Sequence, residues 1–455
     1  MDFARRLPAL VRPVVVGLAA ALAGPALLAT LPASPGVAAT AVAPVAVPAL
    51  PTVEGPIAGP GPMFPGIRPG AAGTNLEDFD YVSEEYFVSG IANGAPYKTR
   101  ILVRHPAKAR KFSGEVVAEP LHRGGNALTC QFAHYGIAQR GHGCLEIAAR
   151  PINLNNGNSP TSSLQPFNPA RYGDFQVSAS QSNEIIAQVG RLIRSNLPSG
   201  PFAHFPVRNL VLTGSSDSSA ATRSFMAGGH ASYRMPDGRP IYQGYFVGST
   251  LGAAPVEQTD VPTIQMPTQF EVNSTDAYRR PDSDVPGNQF RLYEVAGMAH
   301  NDSRENPAFP AGGCDHPLSQ FPFGAMMFMG VQHLLDWVRD GTVPPHAAYL
   351  DVDDDLGDGT RVALDRYGNA LGGVRTPYLE VPVSRYTVPN SGPGLCYQTG
   401  YQTPLPQATI KSLYRNPGQY VSKVHKSLHE LVKQGWFPRE YAGYVTGDAK
   451  AFLRQ

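Results

Sequence analysis

The stretch Asn209-Leu-Val-Leu-Thr-Gly-Ser-Ser-Asp-Ser-Ser-Ala-Ala-Thr-Arg-Ser-Phe-Met226 constrains this chain more than any other. It begins as a short apolar run, Leu210-Val211-Leu212, and turns at Gly214-Ser215-Ser216-Asp217-Ser218. It then runs through helix-tolerant residues from Ala220 to Ala227, and Gly228-Gly229 reads as the helix stop. Strand, tight turn and helix in this order form the layout that lifts one serine above the edge of a sheet, with a helix N-terminus beneath it. Of the clustered serines 215, 216, 218 and 219, only Ser216 has a glycine two residues before it and a small residue two after. Backbones crowd at those two positions, so Ser216 is the expected nucleophile. The plain alternative is a serine-rich turn whose hydroxyls cap the following helix.

A serine hydroxyl is barely nucleophilic near neutral pH and needs a neighbouring base, which itself needs an orienting acid. In the chain order serine, acid, histidine, the base belongs in a loop after a late strand. His300 fits: it follows the apolar run Phe290–Val295 through Gly297-Met-Ala. The acid belongs after the preceding strand, Thr263–Met266, where Glu271 and Asp276 are the candidates. Glu271 lies nearer the strand end. An oxyanion takes one backbone N–H from the residue after the nucleophile, here Asp217, and a second from a loop after an early strand. Leu121-His-Arg-Gly-Gly125 follows the strand Gly114–Ala118, which makes the N–H of Leu121 or His122 the expected second donor.

The surrounding chain reads as α/β. Strand-like runs at 85–89, 99–104, 114–118, 144–148, 242–247, 263–266 and 290–295 alternate with helical spacing at 181–195 and 328–338, which implies a mainly parallel sheet. A further amphipathic helix is expected over 421–433, inside an otherwise irregular C-terminal extension, 340–455. Lys and Arg number 37 against 36 Asp and Glu, so no basic excess points to nucleic acid.

The N-terminus reads as an export signal over 1–39. Arg5, Arg6 and Arg12 precede an apolar stretch from Pro13 to Leu31, and Val37-Ala-Ala39 is a small-residue cleavage site. A membrane anchor and twin-arginine export are the alternatives. Residues 40–50, rich in Pro and Ala, read as a linker, and 51–455 as the catalytic domain. No stable membrane insertion is expected after signal removal, so the protein is expected to be secreted or extracytoplasmic. Four cysteines in an exported chain suggest disulfides. The favoured pairing is Cys130–Cys144 with Cys314–Cys396, since each couples neighbouring parts of the chain; buried free thiols are the alternative. Their spacing fits no zinc site. The acidic run Asp351–Gly359 lacks the glycine and glutamate of a calcium loop and reads as a hairpin.

These residues carry a resemblance. The chain resembles the group of secreted, esterase-like proteins described as alpha/beta hydrolase domain-containing. It does so through Tyr97–Arg104, Phe112–Glu119, the turn at Ser216, Arg280–Asp284, Phe290–His300 and Gly372–Val383. The resemblance implies the α/β-hydrolase fold over about 51–455, with the C-terminal extension near the active site. It also implies an ester-cleaving activity with Ser216 in the nucleophile position. This chain has Asp217 where the family usually has Gln, and Ser219 where Gly is usual. Thr268-Gln-Phe-Glu271 aligns with a Ser-Glu-Thr-Asp pattern, which puts Glu271 at the acid position and asks its longer side chain to fold back.

The expected chemistry is cleavage of a small-molecule or polymeric carboxylic ester through Ser216, His300 and Glu271 by way of an acyl-enzyme, with no cofactor and no metal. An acyltransferase, amidase or lactonase on the same residues is the first alternative. The second is a non-catalytic binding protein on the same fold, in which Asp217 and Glu271 mark decay.

Overall fold

Nine strands form one sheet in the order β1-β2-β3-β5-β4-β6-β7-β8-β9. They are β1 (Thr52–Glu54), β2 (Tyr81–Ala92), β3 (Ala95–Pro106), β4 (Glu115–Pro120), β5 (Gly143–Ile147), β6 (Asn209–Ser215), β7 (Tyr245–Gly248), β8 (Thr263–Met266) and β9 (Phe290–Leu292). The computed structural model describes residues 45–68, 75–250, 252, 254–274, 278–306, 313–353 and 361–452. The expected export signal, residues 40–44 of the expected linker, the candidate acid Asp276 and residues 354–359 of the acidic run lie outside them. β1, β2, β3 and β5 pair antiparallel, and β4 to β9 pair parallel with their neighbours. β4 sits between β5 and β6, so the chain reverses its direction of travel across the sheet there. Functional groups in open α/β sheets gather at the carboxyl ends of the strands beside such a reversal.

The central strands are apolar on both faces because both are covered. In β6, Val211 enters one core, while Leu210 and Leu212 enter the other. In β4, Val117 goes to the first, and Val116 and Ala118 to the second. The first face is covered by α1 (Leu128–Arg140) and the second by α2 (Ser182–Arg194). β6 leads into α3 (Asp217–Ser224), and β8 into the short α4 (Gln269–Ser274). α5 (Phe323–Asp340) packs beside α1, where Gly136 admits the Phe328 ring: a Cβ there would stand 2.2 Å from it.

The expected helix stop at Gly228-Gly229 is not where the winding ends. The chain continues from α3 through a wider π-type turn, Phe225–Gly229, to Ser232. Gly229 serves packing instead, since a Cβ on it would meet the Phe225 ring at 2.4 Å.

The C-terminal extension shares the main core. Tyr414, Tyr420, Val424 and Leu428 join the same apolar cluster as Phe328, carried partly by α6 (Pro417–Gln434); α7 (Ala442–Phe452) adds Val445 and Ala449. Val374 forms a parallel bridge to Val295, extending the sheet past β9. Two strands, β10 (Ser384–Thr387) and β11 (Tyr401–Pro404), form a separate hairpin-like pair. Ala46 bridges Tyr233, so the end of the expected linker lies along the body of the fold.

Cys130 is bonded to Cys144, tying α1 to β5, and Cys314 to Cys396. The two bridges close segments separated by 14 and 82 residues. Loop closure in the unfolded chain then makes the longer bridge worth more, about 4.5 kcal/mol against about 3 kcal/mol. In urea unfolding without reductant, Cys314→Ser/Cys396→Ser is expected to lose more stability than Cys130→Ser/Cys144→Ser. The reverse order would place the dominant effect in folded-state packing around α1.

Candidate active site

Ser216 stands between the last residue of β6 and the first of α3 with φ 58° and ψ −125°. That is a conformation a residue with a side chain adopts only when its surroundings impose it. Gly214 is part of that imposition: a Cβ there would lie 2.5 Å from the Ser218 carbonyl group and the Ser219 nitrogen. The turn is tied by its own hydroxyl, because Ser218 Oγ accepts the Ser215 N–H at 2.8 Å and donates back to Ser215 O at 2.8 Å.

His300 reaches the serine from the loop after β9. Gly297 allows the loop to turn at φ +78°, and its N–H donates to Gln269 Oε1 at 2.7 Å, which fixes the loop to α4. His300 Nε2 lies 2.9 Å from Ser216 Oγ, and His300 Nδ1 lies 2.5 Å from Glu271 Oε1. The partners set the proton positions: Nδ1–H donates to the carboxylate, leaving Nε2 to accept from the serine. Glu271 does fold back. Its Oε2 accepts both the N–H and the hydroxyl of Thr268 at 2.7 Å, three residues earlier, so the longer side chain is braced at its far oxygen. The Phe270 ring stands 5.4 Å from the His300 ring and screens its other side.

The Asp217 carboxylate is directed away from the space above Ser216. Its Oδ2 accepts from the Arg150 guanidinium at 2.6 Å and from the Arg123 N–H at 2.8 Å. Partial burial pushes this carboxyl up, but Arg150 and the Arg123 N–H outweigh burial and hold it below the usual carboxylate range. Arg150 also donates to Leu121 O at 2.7 Å, which Asn153 Nδ2 reaches at 2.8 Å. The turn at Ser216 and the loop 121–125 are therefore stapled together through Asp217. The expected second oxyanion donors are committed elsewhere: the Leu121 N–H donates to Ile147 O and the His122 N–H to Asn126 O, each at 2.9 Å. A loop that closes on itself this tightly turns its own amides inward.

A buried carboxyl lies beneath the turn. Glu119, the penultimate residue of β4, accepts the N–H groups of Thr129 and Cys130 on Oε2 and meets Ser218 Oγ at 2.6 Å through Oε1. Burial pushes its pKa up to about 8, against the pull of Ser218 and the two amides. The contacts agree with a neutral group: Ser218 Oγ has one proton, already given to Ser215 O, so a protonated Glu119 supplies the second.

Ser216 opens onto a cavity of about 480 Å³. Its wall mixes amide and charged residues, Asn126, Gln131, Asn156, Asn301, Gln398 and Arg123, with Leu128, Phe132 and Leu395, and more of its surface is apolar than polar. Asn301 is bonded to Gln398 through backbone and side chain, so the C-terminal extension builds one side. Among the described residues no cluster of His, Cys, Asp or Glu could hold a metal ion. Ser216, His300, Glu271 and Asp217 thus come together as their spacing suggests, and His122 lines the cavity. Glu119 and Arg150 were not singled out. A glutamate following the apolar run Val116-Val-Ala118 was the available signal for Glu119; Arg150 lies far from Asp217 in sequence and gives none.

Glu119→Gln is expected to keep the turn and at least about a third of the activity, because the amide can serve the same partners. Glu119→Ala strands buried N–H groups at about 1–3 kcal/mol each. A raised carboxyl pKa stabilises the fold below the ordinary value of 4.5, and that contribution is lost as pH rises through about 8. The stability of the wild type relative to Glu119→Gln should therefore fall across that range in urea titrations at several pH values. A constant difference would mean Glu119 is ionised throughout.

A family model described as "Alpha/beta hydrolase domain" matches residues 53–446. No curated protein matches the chain by sequence. Among solved structures, esterase Est22 is 12% identical with a TM-score of 0.27, over 43% of this chain and 67% of that one. A putative dienelactone hydrolase from Klebsiella pneumoniae subsp. pneumoniae is 12% identical with a TM-score of 0.27, over 47% and 85%. A cold-adapted esterase from an Arctic intertidal metagenomic library is 13% identical with a TM-score of 0.25, over 50% and 87%. With its family model spanning nearly all of the described sheet and the C-terminal extension, the chain belongs to the alpha/beta hydrolase domain family.

Proposed function

We propose that the protein is a secreted serine hydrolase that cleaves carboxylic esters through Ser216, His300 and Glu271. The observation that supports this most is the unbroken hydrogen-bond path from Ser216 Oγ through His300 to Glu271, which starts at a cavity large enough for a small ester. Ser216 Oγ attacks the ester carbonyl as His300 Nε2 takes its proton. Glu271 stabilises the imidazolium and keeps the ring in register. The Asp217 N–H, at the start of α3, donates to the developing oxyanion. His300 returns the proton to the leaving alcohol, and water then hydrolyses the acyl-enzyme by the same path in reverse roles. Two disulfides and the apolar N-terminal segment support an extracytoplasmic setting.

The cavity's size, about 480 Å³, and the amides set in its wall support a short acyl group, since a long alkyl chain would bury amides without hydrogen-bond partners. Tyr378 of the C-terminal extension donates to Asp448 and is not on this wall. Across p-nitrophenyl esters, kcat/KM for the acetate or butyrate is expected to exceed that for the dodecanoate by at least about tenfold. A maximum at the long chain would place the acyl group elsewhere. Ser216→Ala is expected to abolish p-nitrophenyl acetate hydrolysis, and Glu271→Gln to lower kcat by about 10³–10⁴ with little change in KM. Loss of activity in Ser218→Ala with retention in Ser216→Ala would contradict the assignment.

A further inference from the structure

The loop beside Ser216 has no backbone amide left to give. Leu121 N–H donates to Ile147 O and His122 N–H to Asn126 O. Arg123 N–H donates to the Asp217 carboxylate at 2.8 Å, and Gly124 N–H to His122 Nδ1 at 2.8 Å. Gly125 N–H donates to His122 O at 2.9 Å. All five N–H groups of the segment are spent on holding its shape. An oxyanion stabilised by the Asp217 N–H alone would lack the second donor that acyl transfer uses.

The His122 ring supplies what the amides do not. Because Nδ1 accepts the Gly124 N–H, the neutral ring carries its proton on Nε2. Gly124 makes room for this arrangement, since a Cβ there would stand 3.0 Å from Nδ1. Nε2 has no protein partner among the described residues, His122 lines the same cavity as Ser216 and Asp217, and its charge couples to those of Asp217 and His300. Burial, with further effects from Arg150, His300 and Arg123, pulls the His122 pKa down to about 4, against the pull of Asp217. The ring therefore stays neutral at working pH, a donor that keeps its single proton and adds no competing charge beside His300.

We infer that His122 is a catalytic residue whose Nε2–H, and not a backbone amide of loop 121–125, is the second donor to the oxyanion formed on Ser216. This inference rests on the proposed ester-cleaving role of Ser216. No proton is transferred: the Nε2–H hydrogen bond strengthens as the carbonyl oxygen gains charge and relaxes when the carbonyl re-forms. The Arg150–Asp217 staple serves the same end, because it occupies the Arg123 N–H and holds the loop that carries the ring.

Two isosteric changes separate this role from loop support. In His122→Asn the amide oxygen can replace Nδ1 and accept the Gly124 N–H, but no proton reaches the Nε2 position. In His122→Gln the terminal NH₂ reaches that position, while the acceptor for Gly124 is lost. Donation to the oxyanion predicts a kcat for p-nitrophenyl acetate lowered by about 10²–10³ in His122→Asn, with KM within about threefold, and partial recovery in His122→Gln. The reverse order, with Asn near wild type and Gln impaired, would overturn it. A measurement on the wild type guards against misfolded variants. In ¹⁵N-histidine spectra, the His122 Nε2–H signal should shift when phenylboronic acid forms its adduct on Ser216, and an unmoved signal would overturn the inference. If Ser216→Ala hydrolyses the ester as fast as wild type, the reading of Ser216 fails and the inference falls with it. If Ser216→Ala is inactive while His122→Asn keeps full kcat, only the inference fails.

Discussion

The site depends on one strained backbone position. Ser216 is held at φ 58° and ψ −125°, which costs a residue with a Cβ about 1–3 kcal/mol. Relaxing that torsion would swing Oγ away from His300 and tilt the start of α3. The strain persists because everything around it is over-determined. β6 is paired on both sides, Gly214 lets the backbone of Ser218 and Ser219 pass within a distance no side chain permits, and Ser218 closes the turn with three hydrogen bonds. The paired parallel strands and their two buried faces form the rigid frame on which a loop-borne histidine can find the serine at 2.9 Å.

Three carboxyl groups close to the serine are put to three different uses by their surroundings. Glu271 faces an imidazole N–H and two donors of Thr268, so a charged form has partners at both oxygens. Asp217 faces Arg150 and a backbone N–H, which keep its charge and direct it to the loop. Glu119 has two amides and a hydroxyl but no cation, and full burial raises its pKa to about 8. Residues that looked like departures from the usual pattern thus have partners. Asp217 ties the turn at Ser216 to the opposite loop, and Glu271 is braced three residues back along its own chain.

The order of elements around Ser216, Glu271 and His300 was legible because each follows a short apolar run bounded by turn residues, a local pattern that a buried parallel strand imposes. The cysteine pairing was legible for another reason: each cysteine bonds its nearest partner along the chain, Cys130 to Cys144 and Cys314 to Cys396. What stayed hidden was non-local or depended on side-chain direction. The glycine-bearing segment 121–125 suggested a free Leu121 or His122 amide, but those amides are spent on Ile147 O and Asn126 O. Arg150 reaches Asp217 across 67 residues of sequence, a pairing no spacing rule anticipates. Gly228-Gly229 read as a stop because glycine often ends helices; here the Phe225 ring needed the space.

The proposed chemistry requires that Ser216 Oγ become acylated. The most direct measurement is peptide mapping by mass spectrometry after reaction of the folded wild-type protein with a fluorophosphonate. The adduct is expected on the peptide containing residues 209–223, localised by fragmentation to Ser216, and absent after denaturation. Modification at Ser215, Ser218 or Ser219, or no modification of the folded protein, would contradict it.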